Sequence, residues 1–203
     1  NRVGLLSVPR DSRVRTKGHG YCKLTEVFPN AMMKSDRIED GVAAVSNVIE
    51  ESLGIPIDRY ARVDIEGFVS LVDCLGGVEL DVEKKMHYRD RSQGLYIDLK
   101  PGLQKLDGKK AMQYVRFRND ERGDLGRVER QQKFLKAVSA RLGSLGRGDV
   151  IPLLGAAAKM RKYADTDLSL PELQALAKIV KDVDTGGVET RMASGTARMI
   201  GGA

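Results

Sequence analysis

A layered α/β domain is the fold class that this sequence predicts, and three observations predict it. Strand-like alternation recurs between stretches of helical apolar spacing. Capping residues and Gly or Pro stops separate the two kinds of segment. The chain also has 203 residues, 41% of them hydrophobic, which suffices for one full core and not for two large ones. One domain over residues 1–203 is therefore the expectation.

Val3-Gly4-Leu5-Leu6-Ser7-Val8 reads as a buried strand. Pro9 to Arg13 and a polar, glycine-containing loop to Gly20 follow it. Ser35 and Asp36 are candidate caps for a helix with Ile38, Val42, Val45, Val48, Ile49 and Leu53 at helical spacing, ended by Gly54 and Pro56. Arg59 to Ile65 alternates polar residues with Ala61, Val63 and Ile65, a strand pattern. Asp64 caps a short helix carrying Phe68, Leu71, Val72 and Leu75, closed by Gly76-Gly77. Val78 to Val82 alternates again, and Asp107 opens a helix to about Val115. Asn119 to Gly123 is a charged loop. Asp124 is the expected N-cap of a long helix from Leu125 to Leu142, with Val128, Leu135, Val138 and Leu142 inward. Helices are expected at 151–162 and 171–183 as structural cover. The second opens with the capping box Ser169-Leu170-Pro171-Glu172, and Val188 to Met192 fits a last strand.

Composition excludes several classes. No apolar run approaches the roughly 20 residues needed to span a bilayer; Ile151 to Ala158 is too short. Disordered, collagen-like and disulfide-scaffold compositions are absent. Lys and Arg number 34 against 28 Asp and Glu, a formal charge of +6 that suits an anionic ligand or an acidic surface. Cys22 and Cys74 lie in no CxxC or Cys/His cluster, which argues against zinc. One disulfide stays open, but two buried free thiols are the reading that the residues favour. His19 and His87 have no helical HxxxH pairing and no evident acid partner, so neither fits a catalytic histidine. GxSxG, P-loop and GxGxxG patterns are missing.

The densest chemistry lies between Tyr114 and Gln132, where five arginines fall within fifteen residues. Arg116 and Arg118 are two apart, so an extended backbone points both to one side. Arg127 and Gln131 are four apart and share a helix face. Guanidinium forks beside a helix N-terminus suit phosphate oxygens, and lysine would serve less well. The competing reading is a solvated salt-bridge network, since Asp120, Glu121, Asp124 and Glu129 can neutralise much of this charge. Gly123 and Gly126 tip the balance toward an anion site, because they admit close approach of a ligand. Arg10-Asp11-Ser12-Arg13 follows the first strand, where open α/β folds bind ligands. On the residues alone, a turn closed by Asp11 and Ser12 is the stronger reading there. Lys23 between Cys22 and Leu24 fits a snorkelling surface lysine. The arginine cluster lacks the interleaved aromatics of stacking RNA binders, so no specific nucleic acid is expected.

Six blocks in order then resemble the LytR-CpsA-Psr cell-envelope proteins. They are Leu6 to Ser12, Cys22-Lys23-Leu24-Thr25-Glu26, Gly54 to Asp58 with Val63 to Phe68, Leu75 to Val78, Leu106-Asp107-Gly108, and Val115 to Arg118 with Arg127 to Gln131. The resemblance implies a three-layer α-β-α sandwich around a central mixed sheet. It implies a phosphotransferase that moves a glycopolymer from a polyprenyl-pyrophosphate carrier to a peptidoglycan hydroxyl, on the extracytoplasmic face of the bacterial cell membrane. Arg10, Asp11, Lys23, Arg116, Arg118, Arg127 and Gln131 match its pyrophosphate-binding positions. Arg116 and Arg118 stand as catalytic candidates with Asp124, the candidate base for the acceptor hydroxyl.

The same resemblance implies a Mg (or Mn) cofactor whose ligands, with some strands and a membrane anchor, are expected upstream of Asn1. Activity is accordingly expected to require that segment. Alternatives are a polyprenyl-pyrophosphate hydrolase, a lipid-carrier binding module and, further off, a transcriptional regulator with salt-sensitive DNA contact.

Overall fold

The computed structural model describes residues 3–16, 20–92, 94–144, 164–169, 171–173, 175–176, 179 and 188–193. They form a mixed α/β structure. In chain order its elements are β1 (Val3–Ser7), β2 (Arg13–Thr16), β3 (Gly20–Lys23), α1 (Leu24–Ser35), α2 (Ile38–Leu53), β4 (Ala61–Val63), α3 (Ile65–Cys74) and β5 (Val78–Val82). There follow β6 (Met86–Asp90), β7 (Leu95–Leu99), β8 (Gly102–Leu106), α4 (Gly108–Arg116), α5 (Gly123–Gly143), β9 (Ala164–Thr166) and β10 (Val188–Met192). Among the described residues the strands pair two by two: β1 with β10, β2 with β3, β4 with β9, β5 with β8, and β6 with β7. The chain divides into two compact units, Leu6–Tyr60 with Thr190–Ala203, and Asn1–Leu5 with Ala61–Glu189.

In the first of these, β2 and β3 pair antiparallel, and Val14 opposite Cys22 faces inward. Val14, Val27 and Val48 form a small core, with Leu24, Ala44 and Val45 against it. Residues 13–16 fall in the loop expected up to Gly20, and 21–23 carry no evident strand signal, because Arg13, Arg15 and Lys23 hide a short alternation. Helix α1 was also hidden, since Pro29 stands inside it. Asp36 does not cap the next helix. It closes α1 in the left-handed conformation (φ 51°), and Arg37 stands at the cap of α2 with its N–H donating to the Ser35 hydroxyl.

The other unit holds the larger core. Val78, Leu80 and Val82 of β5 alternate inward, joined by Met86, Ile97, Leu99, Leu106, Tyr114 and Phe134. Asp64 accepts the Gly67 N–H at 2.7 Å, and Asp107 accepts the Lys110 N–H at 2.8 Å, as capping residues should. Strand β4 is shorter than the alternation from Arg59 to Ile65 suggested. Strands β6 to β8 escaped the sequence reading because their outward positions carry His87, Arg89, Tyr96, Asp98 and Lys105, which mask the apolar alternation.

Three further expectations change. Phe134 rather than Leu135 fills the buried position of α5; Leu135 is 46% exposed. Cys22 is half-buried and Cys74 exposed, both as free thiols, so the pair is not buried together. His87 does have an acid neighbour, with Nδ1 3.5 Å from Asp98 Oδ1 across the β6–β7 ladder, where both side chains are exposed. Strand β10 matches its expected bounds, and the capping box stands: Glu172 accepts from the Ser169 N–H and hydroxyl at 2.8 and 2.6 Å. The expected helix at 151–162, and His19, lie outside the described residues.

Helices α3 and α4 meet where Gly108 lies. A Cβ there would stand 2.2 Å from the Val69 carbonyl oxygen, and the Gly108 N–H donates to Asp73 Oδ1 at 2.8 Å. Backbone cannot yield as a side-chain tip can. Gly108→Ala is therefore expected to cost about 3 kcal/mol by forcing the two helices apart. Denaturant titration of the two proteins measures it.

Candidate functional site: an arginine segment clamped from the next helix

The site is built from the end of α4, the loop after it and the first half of α5. Arg116 is the last residue of α4, not part of an extended stretch; extended backbone begins at Phe117 (φ −62°, ψ 128°). Asp124 is not the helix cap either. Helix α5 starts at Gly123 with Arg122 at the cap position, which places Asp124 inside the first turn.

Two consecutive residues of α5 reach back to the main chain that carries the arginines. Arg130 donates from Nη2 to the Phe117 carbonyl at 2.7 Å, and the Gln131 amide donates to the Val115 carbonyl at 3.3 Å. The clamped carbonyls alternate with the residues that bear the two guanidinium groups. The family resemblance matches Gln131 to a phosphate-binding position, and the described contact of its amide is with this backbone carbonyl.

Arg130 is the residue that the sequence reading missed. Its side chain is only 5% exposed, and its Nη1 lies 2.8 Å from Asp120 Oδ2 and 3.4 Å from Glu83 Oε1. The guanidinium also stacks 5.2 Å from the Phe117 ring, while Nε finds no acceptor among the described residues. Lys84 adds a second cation 2.9 Å from Asp120 Oδ2. Burial pushes the Asp120 carboxyl up, but hydrogen bonds from Lys84 and Arg130 outweigh it and hold it at about 2, below its ordinary 3.8. Tyr114 donates to Glu83 Oε2 at 3.0 Å; burial first, and the Glu83 charge next, raise that phenol well above its ordinary range. The only available signal for Arg130 was its position in a helical repeat that otherwise buries Val128 and Phe134.

The salt-bridge reading of this cluster holds for part of it. Arg130 with Asp120, and Arg122 with Glu129 at 2.6 Å, form the salt-bridge network. Arg118 is exposed and has no hydrogen-bond or ion-pair partner among the described residues. Arg127 lies half-buried on α5. The glycines serve the fold as well: Gly123 takes φ 49°, and a Cβ on Gly126 would lie 3.1 Å from Asp120 Oδ1. Gly126 thereby makes room for the buried pair rather than for a ligand.

In the other unit, the turn after β1 brings three expected residues together. Lys23 Nζ lies 3.6 Å from Asp11 Oδ1, and Arg10 Nε lies 4.0 Å from Asp11 Oδ2. The turn is tied to the start of α1, where the Leu24 N–H donates to the Ser12 carbonyl and the Thr25 N–H to the Arg10 carbonyl. All three side chains are about half exposed, so the charges stay hydrated and available. Among the described residues no three His, Cys, Asp or Glu side chains gather as a metal site, and no helix is long and apolar enough to cross a membrane.

The described site is thus an exposed arginine on a segment clamped from α5, beside a neutralised ion-pair network, in a mixed α/β framework. The chain belongs to the LytR_cpsA_psr family, whose model matches residues 1–203. It is 30% identical over 201 residues to the polyisoprenyl-teichoic acid–peptidoglycan teichoic acid transferase TagV of Bacillus subtilis (strain 168), covering 97% of this chain and 49% of that protein. It is 32% identical over 184 residues to the TagU transferase of the same description from Oceanobacillus iheyensis, covering 87% of this chain and 52% of that protein. The chain thus spans about half the length of these curated relatives. The crystal structure of B. subtilis TagV (TM-score 0.75, 28% identity, 97% of this chain and 72% of that chain) and the solved structure of TagT bound to LIIa-WTA (TM-score 0.73, 26% identity, 98% and 71%) share the fold.

Proposed function

We propose that this chain is the catalytic part of an envelope phosphotransferase, which joins a glycopolymer from a polyprenyl-pyrophosphate carrier to peptidoglycan. The observation that carries the reading is Arg118, an exposed guanidinium without a partner among the described residues, on a segment whose carbonyls are held from α5. Membership of a family whose relatives TagV and TagU are named as teichoic acid transferases supports it. In this reading the acceptor hydroxyl oxygen attacks the phosphorus that bears the polymer. A phosphodiester forms, the bond to the bridging oxygen breaks, and polyprenyl phosphate leaves with that electron pair. The hydroxyl proton passes to a base, for which Asp124 is the candidate. Arg116, Arg118 and Arg127 neutralise charge that grows on the phosphoryl oxygens, and Arg10 and Lys23 hold the pyrophosphate with Asp11 between them.

The reading places the protein on the extracytoplasmic face of the bacterial membrane, and both units within one family domain with the three-layer sandwich. It includes a magnesium or manganese ion. The described residues do not assemble a site for one, so no step above runs through it.

The test incubates the protein, as this chain and with the upstream segment that the family resemblance implies, with a polyprenyl-pyrophosphate-linked saccharide, magnesium and a peptidoglycan oligomer. Mass spectrometry follows the products. A phosphodiester-linked conjugate is the expected result. Free sugar phosphate without conjugate would indicate hydrolysis instead, and bound lipid without turnover would indicate a carrier-binding module.

A further inference from the structure

We propose that the outward face of the β2–β3 hairpin, made by Arg13, Arg15, Tyr21 and Lys23, is a docking surface for an extended phosphodiester-linked polyanion. The antiparallel register sets Arg13 opposite Lys23 and Arg15 opposite Tyr21 on one face, while Val14 opposite Cys22 packs inward on the small core. All four outward residues are exposed, Tyr21 at 61%.

This face breaks an ordinary rule of sheet stability. Like charges directly opposite one another destabilise a ladder, and a glutamate at either position would have relieved the repulsion between Arg13 and Lys23. Asp11 is the one acidic residue between Arg10 and Lys23, and its contact with Lys23 at 3.6 Å is solvent-exposed and weak. The other acidic residues of 6–60 lie on or after the helices, at Glu26, Asp36, Glu39, Asp40, Glu50, Glu51 and Asp58, and of these Glu26 is engaged at the start of α1, where it accepts the Lys23 N–H at 2.9 Å. A fold that concentrates cations where they repel, with acids available elsewhere, has a use for the field they make.

The geometry selects an extended ligand. Arg13 and Arg15 are two residues apart on a strand, about 6.5 Å along it, and the cross-strand partners stand about 5 Å away. These charges spread over a surface and do not converge on one phosphate. The Arg13 guanidinium lies 4.3 Å over the Tyr21 ring, which orients its fork and leaves the exposed ring as an apolar face for a sugar or polyol unit. Repeating phosphate beside repeating carbohydrate matches that pairing of cation and aromatic. The face is also continuous with Lys23, and through it with Asp11 and Arg10. The choice of polymer rests on the envelope-transferase reading.

The experiment measures binding of a short poly(glycerol phosphate) chain to the protein and to Arg13→Glu/Arg15→Glu, across a salt series and without carrier lipid or acceptor. Affinity is expected to fall about tenfold or more at low salt, and the slope of log K against log salt to become shallower by about 1.4, two phosphate contacts' worth. Thermal stability of the variant should hold or rise, because Arg13→Glu turns a like-charge pair into an opposite one. Unchanged polymer affinity would overturn the proposal. So would duplex DNA or phosphatidylglycerol vesicles bound more tightly than the polymer with the same arginine dependence, since that would assign the face to another partner. Arginine-dependent binding without conjugate formation would sink the transferase reading alone. Transfer lost in Arg118→Ala, with polymer binding indifferent to Arg13 and Arg15, would sink this one alone.

Discussion

Transfer by Arg118→Ala is expected to fall on the order of 10²–10³-fold, the effect of removing one donor from developing phosphoryl charge. Stability should stay within about 0.5 kcal/mol of the parent, because the side chain is exposed and holds nothing together among the described residues. Arg118→Lys is expected to recover only part of the rate: an ammonium keeps the charge but loses the planar two-pronged donor geometry. Initial rates of conjugate formation, with thermal unfolding as the control, check both. Unchanged rates would remove Arg118 from the phosphate site.

Arg130→Met is expected to cost about 3 kcal/mol, since it strips a charged partner from a buried carboxylate and leaves Asp120 with Lys84 as its one cation and the Arg122 N–H on its other oxygen. The Phe117 carbonyl also loses its donor, so transfer should fall beyond what the stability loss explains at temperatures where the variant is folded. The pH dependence has a definite sign. Asp120 is held at about 2 against an ordinary 3.8, so its contribution to stability is fully present above about pH 4 and is lost as pH falls toward 2. Arg130→Met should flatten that acid limb in denaturant melts run between pH 2 and 5. A limb as steep as the parent's would mean that Lys84 and the Arg122 N–H set the Asp120 ionisation without Arg130.

How much of this was legible in the sequence depended on whether a segment announced itself locally. Asp64 and Asp107 stood before clear apolar spacing and were read correctly as caps. The α/β character followed from the same signals, but the pairing of β5 with β8 and of β6 with β7 did not, because register is set by partners distant in the chain. The site was half visible. Residue type located the arginines, yet five guanidinium groups look alike in a sequence. Only packing separates Arg130, shut in with Asp120, from Arg118 in water. Gly126 was misassigned for the same reason: its missing side chain makes space for a carboxylate six residues back, which spacing alone cannot distinguish from space for a ligand.

The clamp from α5 has a consequence for how this region tolerates change. Arg130 and Gln131 grip the carbonyls of Phe117 and Val115, and a carbonyl is the same group whatever side chain its residue bears. Residue 115 is therefore free to drift within the volume that the core allows, and residue 117 among side chains that keep a ring against Arg130, without altering where the neighbouring guanidinium groups are presented. The two donors have no such freedom, because nothing in the main chain can replace them. Substitution tolerance measured along 115–131 should divide accordingly, permissive among hydrophobic residues at 115 and among aromatic ones at 117, and strict at the grips.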